Sequence, residues 1–446
     1  MSAVWRLDSL RNEGAPISNR RAWIEGVALY LVFAVIYALF LNSLPGKLEH
    51  FEEWVSAHTG EFAKSRPRFS DYFNITSNDT NCAVNAPMYI GLVSLSVSLF
   101  GSEVFAYRLP GVLLSALIPA LSAAVARRFL SGYMALWVGL IMGAQHTVIT
   151  FARTGGYLAP TLTLYLLVIL FSLMIVFENR RWAWIGLTLS LLVAPYFYAT
   201  VRYMLALPLA ILGIKFLASA EFRRNHIRAI LCTACVIGAA LGHFFWWRGP
   251  IEGALAFFEG RGEQLLVTPD TLKADQLAAD KSASVGRFQK VVNEVVPKRA
   301  EEIGKIYTGG LRVFNYRHFY IYDGLGQSVW KWLKFVLGPL YLLGVVSCLA
   351  NIRSSPRYMI PIVWVALCTV PLLVTTGVTV NRMVLGLPGD ALILGIGVAV
   401  FFSLIRACLP TKFDRLPRFL ALASALIFVA YAITVYFIDY KNLPHI

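Results

Sequence analysis

NAPMYIGLVSLSVSLFGSEVFAYRLPGVLLSALIPALSAAVARR, Asn85–Arg128, decides the fold class of this chain. From Leu109 to Ala126 the stretch carries no charge, and it closes on Arg127 and Arg128. A helix needs about 20 apolar residues to cross the hydrocarbon core, and Lys and Arg collect at the cytoplasmic end of such a helix. The run Met88–Phe100 is apolar but shorter, and reads as a tilted or interfacial helix. The segment therefore holds a surface helix, an arginine (Arg108) at the membrane entry, and a span ending in a basic pair.

The same pattern recurs on both sides. Apolar runs at 22–44, 109–126, 133–151, 158–177, 182–201, 203–220, 230–247, 329–349, 358–376, 383–405 and 419–437 give about eleven spans by the length criterion. Only 15% of the residues are charged and 57% are hydrophobic, whereas a soluble domain has roughly 25% charged residues. The expected fold class is an all-α polytopic membrane protein, one transmembrane domain over 1–446.

Arginines set the expected orientation. Arg20 and Arg21, Arg127 and Arg128, Arg180 and Arg181, Arg223, Arg224 and Arg228, Arg353 and Arg357, and Arg406, Lys412, Arg415 and Arg418 fall at alternate hairpins. All land on one side, which the positive-inside rule makes cytoplasmic. The N-terminus is then inside, with Ala22–Leu44 as a signal anchor, and the tail YKNLPHI is outside. Two long loops face outside: 45–108, with interfacial helices, and 249–328. In the second, Val285, Phe288, Val292, Val295 and Ile303 recur near helical spacing, as in amphipathic helices on a bilayer surface.

The net charge of +15 fits cytoplasmic loops against an anionic leaflet. No zinc-finger spacing or basic-aromatic module points to nucleic acid as a partner. The six cysteines make no disulfide framework. Cys232 and Cys235 spell C-x-x-C inside an apolar run and read as small packing residues. The sequons at Asn74 and Asn78 read as chance.

Chemistry is sought on the outer face. The first loop opens with Glu49, Glu52 and Glu53. Arg108, Arg153, Arg202, Arg248 and Arg382 stand at outer span ends, where arginine is scarce. Each reads either as a snorkelling anchor or as a guanidinium fork on a lipid phosphate. Tyr196, Tyr198 and Tyr203 surround Arg202, and Tyr316, His318, Tyr320 and Tyr322 precede span eight. They are an interfacial aromatic belt or sugar-stacking groups. His146 and Asp390 lie inside spans, about two turns below Arg153 and Arg382 respectively, and an intramembrane ionisable group is a site candidate. The alternative for both is pairing with a neighbouring helix. Glu49, His50, Glu53 and His58 are close enough in sequence to hold a divalent cation as a cofactor, without matching a zinc motif.

The order of one span, a carboxylate-bearing loop, a Pro-x-Tyr helix (Pro87–Tyr89), LFGSEVFAYRLPG and a span ending in Arg-Arg resembles the GT-C membrane glycosyltransferases. FARTGG (151–156), YFYATVRYMLALP (196–208) and NRMVLGLPGDALIL (381–394) are similar to the dolichyl-phosphate-mannose protein mannosyltransferase-like group, which includes bacterial lipid A aminoarabinose transferases. The resemblance implies inverting transfer of a sugar from a polyprenyl-phosphate donor to a lipid, glycan or protein acceptor on the non-cytoplasmic face. For the bacterial members it implies the inner membrane and a periplasmic active site. It places the catalytic carboxylate at Glu49, with Glu52 and Glu53 as alternatives, and it calls for preorganised arginines at the donor phosphate, a role for which the outer-end Arg108, Arg153, Arg202 and Arg382 are the candidates. Tyr157, Tyr198, Tyr203, His146, Asp390 and His318 become substrate-binding candidates. Two departures are visible: Leu48-Glu49-His50 stands where an Asp-Glu pair is common, and Arg153–Tyr157 lacks an acidic residue. Two further function classes stay open, a transporter or flippase of lipid-linked saccharide and a non-catalytic partner in envelope assembly.

Overall fold

The computed structural model describes residues 19–42, 87–193, 197, 205–248, 297, 301, 327–369, 384–410, 413 and 415–442. All regular structure among them is helical. The helices are α1 (Asn19–Ala38), α2 (Pro87–Phe100), α3 (Val104–Ser115), α4 (Leu117–Ala126), α5 (Gly132–Gly143), α6 (His146–Arg153) and α7 (Leu158–Glu178). They continue as α8 (Ala183–Val193), α9 (Ala206–Ala218), α10 (Ala220–Arg248), α11 (Gln327–Asn351), α12 (Met359–Thr369), α13 (Leu387–Cys408) and α14 (Leu416–Asn442).

Two kinds of helix follow from two kinds of pattern. α7 is apolar all round and is buried on nearly every side, against α4, α8 and α9. α1 has two faces. Leu29, Phe33 and Tyr37, spaced by four, are buried, while Trp23, Val27, Leu31 and Val35 are exposed. An exposed ridge of large apolar side chains is unsuited to water and suits a lipid solvent. Among the described residues five helices are long and apolar enough to cross a membrane, or six if one bent pair is a single span. Five more apolar helices have 10–17 residues. This count covers the described residues alone, and several of the eleven expected spans run into residues outside them. The short helix expected at Met88–Phe100 is present as α2.

The expected continuous span at 133–151 is broken. The segments Gly132–Gly143 and Thr147–Arg153 are bent by 55° to one another. At the break Tyr37 Oη of α1 donates a 2.7 Å hydrogen bond to the Gly143 carbonyl, one of those left free at the end of α5. The Phe33 ring lies against Gly143, where an added Cβ would come within 2.3 Å of Cζ.

Among the described residues α11 and α13 make the most intimate helix pair. A Cβ on Gly344 would sit 2.0 Å from the Ile393 carbonyl oxygen, and one on Gly397 would sit 1.8 Å from that of Leu340. Glycines let these backbones touch, a standard device of membrane helix packing. Cys232 and Cys235, expected as packing residues, are instead exposed on α10.

The basic hairpins gather at one end of the bundle. Glu25 pairs with both Arg21 (3.0 Å) and Arg127, and Glu178 pairs with Arg128 and Arg180, each at 2.6 Å. Beside them Trp184 Nε1 donates to His226 Nδ1 at 2.9 Å, and His226 Nε2 meets Asn179 Oδ1. The indole N–H fixes Nδ1 as the acceptor, so a neutral imidazole carries its proton on Nε2. Asn179, at φ +54°, is the left-handed cap that ends α7.

Candidate functional site

At its C-terminal end α1 leaves backbone carbonyls with no partner inside the helix. In hydrocarbon such groups must find partners within the protein. Two arginines supply them. Arg153 Nη1 donates to the carbonyls of Tyr37 (2.7 Å) and Leu39 (2.5 Å), and its Nη2 to that of Phe40 (3.4 Å). Arg108 Nη1 donates to the Leu41 carbonyl at 2.6 Å. Both arginines are fully buried.

The charge is stabilised from two sides. Arg153 is the last residue of α6, and it also lies at the end of α1, so two helix C-termini present partial negative charge to it. From α14, the rings of Phe437 and Tyr436 lie with centroids 4.9 and 5.6 Å from its Cζ. Phe40 packs edge-on against Phe437 at 5.9 Å. Its backbone is left-handed, φ +54°, a conformation uncommon for a bulky residue. After Arg153 the chain turns through Gly155, φ +60°, whose carbonyl accepts from Tyr89 Oη at 2.8 Å. Tyr89 belongs to the Pro-x-Tyr helix, so α1, α2, α3, α6 and α14 converge here.

Of the residues expected to act, Arg108 and Arg153 come together, on carbonyl groups of one helix end. Tyr157 follows the Gly155 turn as the cap of α7, is buried, and its carbonyl accepts from Thr161 Oγ1 at 2.6 Å. His146 opens α6. Asp390 lies in the first turn of α13, buried, accepting from Tyr341 Oη of α11 at 2.7 Å. The 3-10 turn Val384–Gly386 before it is tied to α12 by Trp364 Nε1, which donates to the Leu385 carbonyl at 2.8 Å. Glu49, Glu52, Glu53, Arg202, Arg382, Tyr198, Tyr203 and His318 lie outside the described residues, as do His50 and His58. Among the described residues no cluster of His, Cys, Asp or Glu could hold a metal ion.

Sequence reasoning missed Tyr37, Phe40, Tyr341, Tyr436 and Phe437. Tyr37 and Tyr341 look like ordinary span aromatics. Their roles depend on helix contacts between segments far apart in the chain.

No protein-family model and no curated protein matches the chain. Solved structures do. The oligosaccharyltransferase of Archaeoglobus fulgidus in its apo form is 13% identical with a TM-score of 0.53, covering 93% of this chain and 55% of that one. The archaeal oligosaccharyltransferase AglB from the same organism, in complex with an inhibitory peptide and a dolichol-phosphate, is 12% identical with a TM-score of 0.52, covering 93% and 56%. ArnT from Cupriavidus metallidurans in the apo state is 14% identical with a TM-score of 0.48, covering 95% and 76%. The chain thus spans little more than half the length of the archaeal enzyme. The expected likeness to the GT-C glycosyltransferases is present in the fold.

Proposed function

We propose that this protein is a membrane glycosyltransferase that moves a sugar from a polyprenyl-phosphate donor to an acceptor on the non-cytoplasmic face, with inversion. One observation carries the reading: over 93% of its length the chain shares a fold with an archaeal oligosaccharyltransferase, one structure of which holds a dolichol-phosphate and a peptide. Taken over to this chain, these point to a lipid-phosphate carrier and a separate acceptor.

Each chemical demand has a candidate in the sequence. An acceptor hydroxyl must lose a proton, and a loop carboxylate, Glu49 before Glu52 and Glu53, accepts it. As the glycosidic bond breaks, the pair of electrons leaves with the phosphate, which gains charge without a general acid. Fixed guanidinium groups stabilise that charge. Arg202 and Arg382 take this role first, because Arg108 and Arg153 are engaged with the end of α1. The proposed topology has eleven crossings, a cytoplasmic N-terminus and an outer active site in a bacterial inner membrane. The Glu25 and Glu178 ion pairs, which hold the basic hairpins together, support that phase.

The test is a transfer assay. Purified protein in detergent is given radiolabelled polyprenyl-phosphate sugars and extracted envelope acceptors, and E49Q, E52Q and E53Q are compared. Activity that survives in all three variants places the base elsewhere.

A second reading has one observation in its favour. The α5–α6 bend breaks a span, and broken helices line the sites of many transporters. A flippase would move a fluorescent lipid-linked saccharide between leaflets with no acceptor product.

A further inference from the structure

We propose that Arg153, with Arg108, is a positioning residue that fixes the direction in which the chain leaves the first span. The inference rests on the reading that the first outer loop forms the transfer site, since that loop begins a few residues beyond Leu41.

A helix can end with a glycine cap and water. This one ends otherwise. The carbonyls of Tyr37, Leu39, Phe40 and Leu41 are all taken by guanidinium groups from other helices. Phe40 is held left-handed without being glycine, which persists only where the surroundings over-determine it. Here those surroundings are the Phe437 ring on its side chain and Arg153 on its carbonyl. Arg153 therefore joins three pieces of chain, the exit of α1, the FARTGG turn and the C-terminal helix. A planar fork with five donors can do this, whereas an ammonium on a flexible stem cannot reproduce it. Displacing a reacting group by an ångström slows transfer steeply. A clamp at the root of the loop is where such precision would be set.

The arrangement separates two roles for Arg153. A group gripping the donor phosphate changes donor affinity when altered. A group that aims the loop changes turnover and leaves donor affinity alone.

The test joins hydrogen–deuterium exchange with kinetics on the full chain in detergent, for wild type, R153K, R153Q and F437L. The reporters are the amides of Leu39 and Leu41, which donate to the Val35 carbonyl at 3.0 Å and to the Ala38 carbonyl at 3.2 Å. Exchange in 37–42 is expected to rise at least ~10-fold in both Arg153 variants, less in F437L, with α7 and α13 unchanged. With transfer, R153K is expected to lose at least ~10-fold in kcat with donor KM within about twofold of wild type. Unchanged exchange at 37–42 in folded R153Q overturns the inference, and so does a rise spread evenly over the helices. A loss confined to KM overturns it in favour of phosphate contact. Absence of transfer in wild type counts against the glycosyltransferase reading alone, because the exchange arm needs no substrate.

Discussion

Tyr341 of α11 donates a 2.7 Å hydrogen bond to the carboxylate of Asp390 in the first turn of α13. It is a polar contact inside the tightest helix pair among the described residues. Removing the hydroxyl leaves a buried oxygen short of a partner. Y341F is expected to destabilise the protein by about 1–2 kcal/mol, and D390N by less, because an amide oxygen still accepts. Thermal unfolding in detergent measures both. A Y341F melt equal to wild type contradicts this account of the pair.

The same interface makes a steric prediction. G344A and G397A each place a methyl group against a carbonyl oxygen of the facing helix, so the two helices must separate. Overpacking of this kind is expected to cost at least about 2 kcal/mol. G213A in α9 is the control: nothing lies within 4 Å of its added Cβ. There alanine is expected to be neutral or stabilising by up to about 1 kcal/mol.

The sequence displayed the general architecture well. Runs of apolar residues gave the membrane class, and the basic residues Arg21, Arg127, Arg128 and Arg180 do share one end, because both signals act locally. Span 133–151 looked continuous because its glycines, Gly139 and Gly143, are of a kind that membrane helices tolerate. At the break the Gly143 carbonyl is taken by Tyr37, a residue of another helix. Likewise Arg108 and Arg153 were recognisable as cations out of place at the expected outer end, yet their partners are backbone carbonyls, which no side-chain pattern reveals. Asp390 and its pairing with a neighbouring helix were within reach of the sequence, but its partner Tyr341, far away in the chain, was not.

At the other end of the bundle, the Trp184–His226–Asn179 chain predicts a pH response. Burial, aided by the nearby Arg181 charge, holds the His226 imidazole below its ordinary value near 6.5. The folded protein then prefers neutral histidine and the unfolded chain binds the extra proton first. The stabilisation is full above about pH 6.5 and is lost as pH falls toward the depressed folded value. Protonated Nδ1 faces the indole N–H, donor against donor. Acidification is expected to shift Trp184 emission and lower the melting temperature. H226Q should lose most of that pH dependence, and an unchanged profile contradicts the assignment.

The loop carboxylates give the sharpest prediction about chemistry. If one of them takes the acceptor proton, its glutamine variant should lose at least ~100-fold in turnover while still binding donor, since general-base catalysis contributes 10²–10⁴-fold. E49Q is expected to show that loss, with E52Q and E53Q closer to wild type. Equal activity in all three would move the base out of this loop.

The central claim is that the protein holds a sugar-bearing polyprenyl phosphate. Native mass spectrometry of the protein purified from its own membranes tests this most directly. The expected spectrum contains an adduct with the mass of a polyprenyl phosphate carrying one sugar, reduced when Arg202 and Arg382 are replaced together by glutamine. A spectrum with bulk phospholipid alone, joined to the absence of transfer from any such donor, would contradict the claim.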